Sequence, residues 1–337
     1  MKDLKSAPDI DAPAAAWWHV EDDAVRCELC PHRCRIGEGG RGICGVRRNV
    51  AGTLRAESYG HLSAIAVDPI EKKPLYHFHP GRSILSIGSI GCNFRCTFCQ
   101  NAHLVEGNAP LQRVAIDDLL RAAQAENSVG IAFTYNEPTI GFEFVRDCAR
   151  AFRDAGLKNV LVTNGYVNPE PLAELLPLID AMNIDLKSMK PDYYRRLCGG
   201  TLEPVLDTIR AASKATHVEL TTLLVTGEND SDADIRAVVD FVAGVDPEMP
   251  LHFSRYFPMH RMTAPPTPPD RLESAFAIAS KQLRYVYVGN IGLPGTSDTH
   301  CPACGRTVVR RDGYRTEATG LSGNRCAGCR AALRFVV

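Results

Sequence analysis

The stretch GCNFRCTFCQN at residues 91–101 carries three cysteines in the spacing C-x3-C-x2-C, directly after an apolar run at residues 83–90 that predicts a β-strand. Three thiolates on one short loop can bind three corners of a cubic 4Fe–4S cluster, whereas such clusters normally take four cysteines. Because no fourth cysteine stands near the loop, one iron would be open to an outside ligand, which is typical of a reactive metal site. We therefore predict a reactive iron–sulfur site on Cys92, Cys96 and Cys99; a zinc site or three ordinary buried cysteines are the alternatives.

The composition of the 337 residues is that of a globular protein, with 45% apolar residues, 23% charged residues and a net charge of −1. This charge gives no general attraction to nucleic acid or to a membrane surface. No apolar run approaches the roughly 20 residues that cross a bilayer, so we expect no membrane span. The N-terminal stretch contains acidic residues and prolines and does not read as a secretory signal.

The number of cysteines is unusual, because 13 occur in a chain with no secretory signal. Eleven of them fall into three tight groups, which fits reduced, metal-binding thiols in the cytoplasm better than disulfides. The groups are Cys27, Cys30, Cys34 and Cys44, then the loop described above, then Cys301, Cys304, Cys326 and Cys329. We take the remaining two, Cys148 and Cys198, as buried small apolar residues.

The first group has the spacing C-x2-C-x3-C-x9-C and includes a Gly-rich turn at residues 37–42. Glycines allow the tight backbone that wraps a metal. Four cysteines suit either a closed zinc site or an auxiliary iron–sulfur cluster, and the sequence does not choose between them. His32 could replace one ligand, and four unrelated thiols are the alternative to any metal.

The last group pairs two C-x2-C turns that are separated by 21 residues, which is a zinc-ribbon pattern. The residues between them, Thr307–Val309 and Tyr314–Thr316, predict a β-ribbon. A rubredoxin-like iron site is the alternative to zinc. Arginines on the ribbon suggest a solvated basic face, with RNA contact as a less favoured interpretation.

Between these groups, short β-rich runs alternate with amphipathic runs, which predicts parallel strands joined by helices. The predicted strands are 83–90, 130–134, 159–163, 181–185, 218–224 and 251–256, and the predicted helices are 116–127, 140–155, 169–179, 204–215, 231–242 and 269–283. Six such units predict an α/β fold with a partial (β/α)6 barrel, and an open doubly wound sheet is the alternative. We expect a loose leader over 1–22, a Cys-rich and β-ribbon segment over 23–82, this core over 83–293, and a zinc-ribbon-like module over 294–337.

Polar residues follow nearly every predicted strand, where parallel α/β folds place their chemistry. Asp185 and Lys187 alternate along one strand, so both should point to the same face. An internal salt-bridged pair is the alternative to a binding role. The candidate ligand-binding residues at these strand ends are Asn136, Glu137, Thr163, Asn164, Asp185 and Lys187.

Several motifs in this order resemble the AmmeMemoRadiSam-system radical S-adenosylmethionine (SAM) enzymes, relatives of pyruvate formate-lyase activating enzyme. The motifs are CELCPHRC at 27–34, DPIEKKPL at 68–75, GCNFRCTFCQN at 91–101, TYNEP at 134–138 and CPACG at 301–305. In that family the open iron is chelated by the amino and carboxylate groups of SAM, and the partial barrel is the family's fold.

The resemblance implies roles for individual residues. Phe98 would lie near the adenine, Glu137 would pair with the SAM ammonium, and neighbouring amides such as Asn136 would fix the methionine. Thr163 and Asn164 would contact the ribose or carboxylate. Asp185 and Lys187 resemble the Asp-x-Lys that touches SAM in glycyl-radical activating enzymes. The family has Gly-Gly-Glu-Pro where this chain has YNEP, which puts close approach of the backbone in doubt.

The function implied is reductive cleavage of SAM to methionine and a 5′-deoxyadenosyl radical, which abstracts hydrogen from an unidentified substrate. A glycyl-radical site in a partner protein is the first expectation, a small molecule or RNA the second. An electron donor such as flavodoxin or ferredoxin and a Memo-like protein are the expected partners. An iron–sulfur and zinc protein that binds a partner without turnover is the alternative from a different class.

Overall fold

The computed structural model describes residues 12–107 and 109–337, and its N-terminal part is built from short strands. These strands are β1 (Trp18–Glu21), β2 (Ala24–Cys27), β3 (Arg35–Gly37), β4 (Arg47–Val50), β5 (Thr53–Ala56) and β6 (His61–Leu62). The first three form an antiparallel sheet, and β4 pairs with β5 as a hairpin. Together they carry the first cysteine group.

We expected a loose leader over residues 1–22, but its described part, residues 12–22, is ordered against the N-terminal strands. Residues 18–21 form β1, and Ala12 and Ala15 are buried. The Ala15 backbone N–H donates to the Leu54 carbonyl at 2.7 Å, which pins the chain to β5. Residues 1–11 lie outside the described residues.

The next strands along the chain are β7 (Ala64–Pro69), β8 (Ser83–Gly88), β9 (Gln112–Arg113), β10 (Gly130–Phe133), β11 (Lys158–Thr163), β12 (Ala181–Asp185), β13 (His217–Leu224), β14 (Leu251–Arg255) and β15 (Val286–Gly289). All but β9 form one sheet in the order β15-β14-β13-β12-β11-β10-β8-β7. The strand β7 runs antiparallel to β8, and every other neighbouring pair is parallel. The chain therefore has an α/β fold with a mostly parallel central sheet.

The strand order follows the sequence in one direction from β8 to β15. A doubly wound sheet needs a reversal of that order, so the alternative architecture is wrong. All six predicted strands are present, and their carboxyl ends lie at one edge of the sheet. The sequence analysis missed a seventh parallel strand, β15, because its four-residue run is short and no further β/α unit follows it.

The helices that cover the sheet are α1 (Ala102–Val105), α2 (Ile116–Ala125), α3 (Phe142–Asp154), α4 (Pro169–Leu175), α5 (Pro191–Tyr193), α6 (Glu203–Ala212), α7 (Asp232–Val245) and α8 (Pro269–Ala279). The six predicted helices are confirmed to within a few residues, and only the short α1 and α5 were not predicted. On α3 the side chains of Phe144, Cys148 and Phe152 are buried, as their spacing predicts. None of the described helices combines the length and apolar character that a membrane span requires.

The two faces of the sheet have different partners, which decides where each side chain points. The outer face packs against the helices and includes Leu161 and Ile184. The inner face includes Val160 and Ala181 and packs against residues 70–78, the segment that follows β7. Because side chains alternate along a strand, every strand-end residue can be assigned to one face.

The segment at residues 70–78 is bound beneath the inner face by one buried carboxylate. Glu219 on β13 has no exposed surface, and it accepts the backbone N–H groups of Tyr76 at 2.9 Å and His77 at 2.7 Å. The imidazole of His252 lies 2.7 Å from the same carboxylate. These backbone N–H groups are therefore hydrogen-bonded to a side chain of the sheet rather than to solvent.

The C-terminal part contains β16 (Thr299–His300), β17 (Thr307–Asp312), β18 (Arg315–Glu317), β19 (Leu321–Ser322) and β20 (Arg325–Cys326), which confirms the predicted ribbon. Arg311 is buried rather than part of a basic face, and its guanidinium lies 4.1 Å from the ring centre of Tyr76. His77 contacts the Arg334 carbonyl at 2.7 Å and the Tyr287 hydroxyl at 2.6 Å. The C-terminal part is thus docked on the segment that the sheet encloses.

We predict that His77 makes the stability of this packing depend on pH. Burial lowers the pKa of His77 to about 3, with Glu219 opposing the shift, whereas an unfolded histidine takes up a proton near pH 6.5. Protonation therefore favours the unfolded chain below about pH 6.5, so the stabilisation is complete above that pH and is lost as the pH falls toward 3. Between pH 6.5 and pH 5 the free energy of unfolding should fall by about 2 kcal/mol through this group.

Urea unfolding at the two pH values measures this difference. In His77→Gln the fall in the free energy of unfolding over this interval should shrink by most of that amount. The matched control is His103→Gln, which changes an exposed histidine of α1 and should keep the wild-type pH dependence. An unchanged pH dependence in His77→Gln would contradict the assignment.

Candidate functional site

The three-cysteine loop begins at the carboxyl end of β8 with a residue that must be glycine. Gly91 has φ +81°, and a Cβ there would lie 2.4 Å from the Cys44 carbonyl oxygen and 3.0 Å from the Val46 side chain. Real Cβ atoms do not come that close to another heavy atom, so only glycine fits without a shift of the backbone. This contact places the first cysteine group directly against the loop.

The thiols of the loop are free, and that of Cys92 is surrounded by donors. None of the 13 cysteines forms a disulfide. The Sγ of Cys92 receives the Phe94 backbone N–H at 3.3 Å and faces the Asn164 amide nitrogen at 3.6 Å. Three free thiols, with N–H donors at the Cys92 sulfur, fit an iron–sulfur cluster, whose sulfur atoms accept such bonds.

Cys198 lies beside this loop, although the sequence analysis took it as an ordinary buried residue. It is fully buried, and its thiol is the main cause that lowers the pKa of the Cys96 thiol. Its carbonyl accepts the Arg95 backbone N–H at 2.7 Å, and the Leu197 carbonyl accepts that of Thr97 at 2.9 Å. No spacing in the sequence could reveal this neighbour, because the turn after α5 brings it in from a distant part of the chain.

Asn164 holds the beginning of the loop in place. Its amide nitrogen donates to Asn93 Oδ1 at 2.9 Å, and its own Oδ1 accepts the Tyr166 backbone N–H at 2.8 Å. Asn93 in turn donates to the Tyr166 carbonyl at 2.7 Å. The expected contact of Asn164 with a cofactor thus competes with bonds that it already makes to the loop.

Glu137 is the most heavily bonded residue of the site. Its Oε1 accepts the Thr139 backbone N–H at 3.0 Å and the hydroxyls of Thr139 and Thr163, each at 2.7 Å, and its Oε2 accepts the Asn164 backbone N–H at 2.8 Å. Burial raises the pKa of Glu137, and these hydrogen bonds work against that shift. The carboxylate therefore joins the ends of β10 and β11 to each other.

Glu137 and Thr163, both predicted to bind a cofactor, are bonded to each other in this structure. Thr163 follows Leu161 by two residues, so its side chain lies on the same outer, helix-covered face. Its hydroxyl is already bonded to Glu137. Glu137 is buried with 3% of its surface exposed. Strand-end position alone suggested a binding role, but the face of the sheet could not be assigned before the register was known.

The YNEP segment keeps a glycine-like backbone although both glycines of the family pattern are absent. Tyr135 has φ +70°, in the left-handed region that glycine adopts without strain. Its hydroxyl donates to Asp68 at 2.5 Å, and the Lys73 ammonium lies 4.6 Å from its ring centre. Asn136 donates to the carbonyls of Ile90 and Gly91, each at 3.1 Å. The segment is therefore fixed from both sides.

Asp185 and Lys187 lie on the inner face near the other two thiols of the loop. Lys187 Nζ is 2.8 Å from Asp185 Oδ2 and 6.0 Å from the ring centre of Phe98. Burial works against the charge on Lys187, but Asp185 and the Cys96 thiol outweigh it and hold the pKa of Lys187 well above its ordinary value. The Tyr193 hydroxyl, buried against Phe98, has no partner within the described residues.

The predicted site residues thus form two sets on opposite faces. The set near Cys92 braces the loop, while the set near Cys96 and Cys99 keeps charged groups on the inner face. A cavity of about 30 Å³ lies on the outer side among apolar residues of β8, β10 and α3. Of the predicted site residues, Asn136 and Glu137 line this cavity, whereas Asp185 and Lys187 do not.

The other two cysteine groups differ from each other in geometry. The last group brings the Sγ atoms of Cys301, Cys304, Cys326 and Cys329 within 4.8 Å of one another, so it could hold one metal ion. The first group, Cys27, Cys30, Cys34 and Cys44, lines one cavity together with His32 and Arg47. His32 does not face solvent as a free side chain, because its Nε2 contacts the Asn93 carbonyl at 2.8 Å.

Comparison with known proteins gives a family and relatives along the chain. Residues 86–242 match the model of the Radical SAM superfamily. The chain is 40% identical over 327 residues to the Uncharacterized protein MJ0808 of Methanocaldococcus jannaschii, covering 94% of this chain and 97% of that protein. It is 28% identical over 160 residues to the Pyruvate formate-lyase 1-activating enzyme of Escherichia coli, covering 45% of this chain and 65% of that one.

A solved structure supports the fold. The crystal structure of Streptococcus suis SuiB bound to S-adenosylmethionine is similar with a TM-score of 0.50 and 14% sequence identity. The similarity covers 61% of this chain and 52% of that chain. At this identity the similarity concerns the fold alone.

We predict that Gly91→Ala lowers the stability of the protein and the amount of iron that the loop binds. The substitution adds the contact with the Cys44 carbonyl to the left-handed strain of roughly 1–2 kcal/mol that any other residue has at such a φ. We expect a lower thermal midpoint and less bound iron after anaerobic reconstitution. Gly227→Ala is the matched control, because Gly227 has φ +78° but nothing within 4 Å of its Cβ position. Equal iron content in the two variants would contradict the role of the contact.

Proposed function

The chain belongs to the radical SAM superfamily, and on that premise we propose that a 4Fe–4S cluster on Cys92, Cys96 and Cys99 cleaves SAM reductively. The observation that carries the proposal is the loop itself, whose three free thiols follow β8 inside the matched residues 86–242. When it is bound and reduced, the cluster supplies one electron, which splits SAM into methionine and a 5′-deoxyadenosyl radical that abstracts hydrogen from the substrate.

The residues of this chain act by binding and orientation. Lys187 presents a cation and Asp185 an anion on the inner face, which complements the carboxylate and the ammonium or ribose hydroxyls of SAM. Phe98 lies beside Lys187 with 4% of its surface exposed, and its ring is our candidate for the contact with the adenine. Glu137, Thr163 and Asn136 hold the loop and the strand ends in position, and their hydrogen bonds support this role more strongly than a direct contact with SAM. Asn164 remains a candidate for either role.

The fold supports finer assignments as parts of the same proposal. A sheet with one-way strand order and an enclosed inner face is suited to a partial (β/α)6 barrel around the cofactor. The four close thiols of the last group suit a zinc ribbon, since zinc binds four sulfur atoms tetrahedrally. The free cysteines suit the reducing cytoplasm.

For the substrate, we propose a carbon-bound hydrogen in a partner protein, in the manner of a glycyl-radical activating enzyme. The similarity to the pyruvate formate-lyase activating enzyme supports this class over part of the chain. Membership of the AmmeMemoRadiSam system, with a Memo-like partner and a flavodoxin or ferredoxin as electron donor, is the narrower proposal. RNA or a small molecule is the second substrate class.

A second function from another class is an iron–sulfur and zinc protein that binds a partner without turning over SAM. The observation that favours it is the saturation of Glu137 and Asn164 by bonds within the protein. The charged pair of Asp185 and Lys187 favours the enzyme, because a binding module has no need of a half-buried ammonium beside the cluster loop.

We predict that Lys187→Glu weakens SAM binding and leaves the iron content intact. Replacing a cation that bonds a carboxylate should raise the dissociation constant of SAM about 10- to 100-fold. Anaerobic protein reconstituted with iron and sulfide and reduced with dithionite should convert SAM to 5′-deoxyadenosine, with a matching loss in the variant. The control is Lys214→Glu, which reverses an exposed lysine and should behave as wild type.

Two results would contradict the proposal. If the wild-type protein with a fully loaded cluster forms no 5′-deoxyadenosine, the proposal that it is an enzyme is contradicted. Loss of iron together with SAM binding in Lys187→Glu would mean that the lysine has only a structural role.

A further inference from the structure

The first cysteine group forms a pocket that the proposed function does not use. Its four cysteines line one cavity of about 10 Å³, which is closed by Leu29, Ile43 and Ile140. Four thiols on one lining suit either a single zinc ion or an iron–sulfur cluster. The distance between the sulfur atoms distinguishes the two.

The sulfur separations lead to the same distinction. In the last group the pairs Cys301–Cys329 and Cys304–Cys326 are 3.6 Å and 3.8 Å apart. Zn–S bonds of about 2.3 Å in a tetrahedron require sulfur atoms about 3.8 Å apart. Within the described residues, the last group is the one set of three or more ligand atoms that all lie within 4.8 Å of one another. The thiols of the first group are spread farther than that, as a group with several metal atoms requires.

The lining of the pocket offers hydrogen-bond donors to sulfur. The Ile43 backbone N–H lies 3.5 Å from Cys34 Sγ. A backbone donor at a cysteine sulfur is typical of cysteines that bind metal.

Arg47 adds two donors that have no acceptor. Its side chain is 1% exposed and lines the pocket, and its Nη2 donates to Glu143 at 2.9 Å and to the Ala16 carbonyl at 2.5 Å. Its Nε and Nη1 are buried with no partner in the described part of the chain. Buried donors are normally satisfied, and the inorganic sulfides of a cluster would be acceptors that a zinc ion does not provide.

The pocket is also in direct contact with the loop of the proposed SAM-binding cluster. The Cys44 carbonyl touches Gly91, the residue before Cys92. His32, which lines the pocket, contacts the Asn93 carbonyl at 2.8 Å. Arg95 Nη2 donates to the Ile43 carbonyl at 3.0 Å. A metal group in the pocket would therefore be separated from the loop by backbone contacts and hydrogen bonds only.

We propose that Cys27, Cys30, Cys34 and Cys44 hold a second iron–sulfur cluster that relays electrons to the cluster on Cys92, Cys96 and Cys99. These four cysteines would hold a group that accepts one electron from a reduced protein donor, flavodoxin or ferredoxin, and that returns to its oxidised state by giving that electron to the first cluster. The electron would then be used to cleave the carbon–sulfur bond of SAM. The relay rests on the proposed function, whereas the identity of the metal group does not.

Metal analysis of anaerobically purified and reconstituted wild-type protein tests the site. We expect about eight irons and eight sulfides per chain with about one zinc. In the double variant Cys30→Ala, Cys34→Ala we expect about four irons and the same zinc. The control Cys148→Ala removes a buried cysteine of α3 and should keep the wild-type content. About four irons with two zincs in wild type, or an iron content that the double variant does not lower, would overturn the site.

Two reductants separate the relay from the proposed function. With reduced flavodoxin, the rate of 5′-deoxyadenosine formation in the double variant should fall about tenfold or more. With dithionite, which can reduce the remaining cluster directly, the fall should be much smaller. An equal fall with both reductants would overturn the relay. A wild-type protein that carries both clusters and forms no 5′-deoxyadenosine would instead contradict the proposed function and leave the second cluster in place.

Discussion

The contact between the Cys44 carbonyl and Gly91 is the constraint on which the rest of the site depends. The Cys44 carbonyl oxygen lies 2.4 Å from the position that a Cβ of residue 91 would occupy. The N-terminal segment and the three-cysteine loop therefore fit together only when residue 91 has no side chain. The N-terminal strands, Arg47 and the first cysteine group are held in place by the same packing. Two cysteine-bearing segments that are far apart in the sequence therefore form one structural unit, so a change in the backbone of one displaces the other.

The one-way order of the sheet gives this unit its surroundings. Every parallel strand ends at the same edge, and alternation sends successive side chains to opposite faces. On the outer face, Glu137 and Thr163 join neighbouring strands and support the loop. On the inner face, Asp185 and Lys187 remain as a charged pair beside it. A rigid support on one side and charged groups on the other are what a site needs when a bound cofactor does the chemistry and the protein positions it.

The sequence predicted the strands and helices well, but it predicted less well on which face of the sheet each site residue lies. The six strands and six helices have clear periodicity, and the three cysteine groups have clear spacing, because both signals are local. The roles of Glu137 and Thr163 depended on register, which is not local, and Cys198 reaches Cys96 only through the tertiary fold. β15 was too short to stand out, and the strand at residues 18–21 lacks a strong apolar pattern. The separation of the thiols in the first cysteine group could not be predicted, since one spacing suits zinc and iron–sulfur clusters equally.

The central claim is that one iron of the cluster on Cys92, Cys96 and Cys99 binds SAM through its methionine end. Electron–nuclear double resonance of the reduced protein tests this directly, with SAM labelled by nitrogen-15 in the amino group and by oxygen-17 in the carboxylate. Any signal of the second cluster is removed by using the Cys30→Ala, Cys34→Ala variant. The account predicts hyperfine coupling of the cluster to both labels. A fully loaded, reduced cluster with no coupling to either label would contradict it.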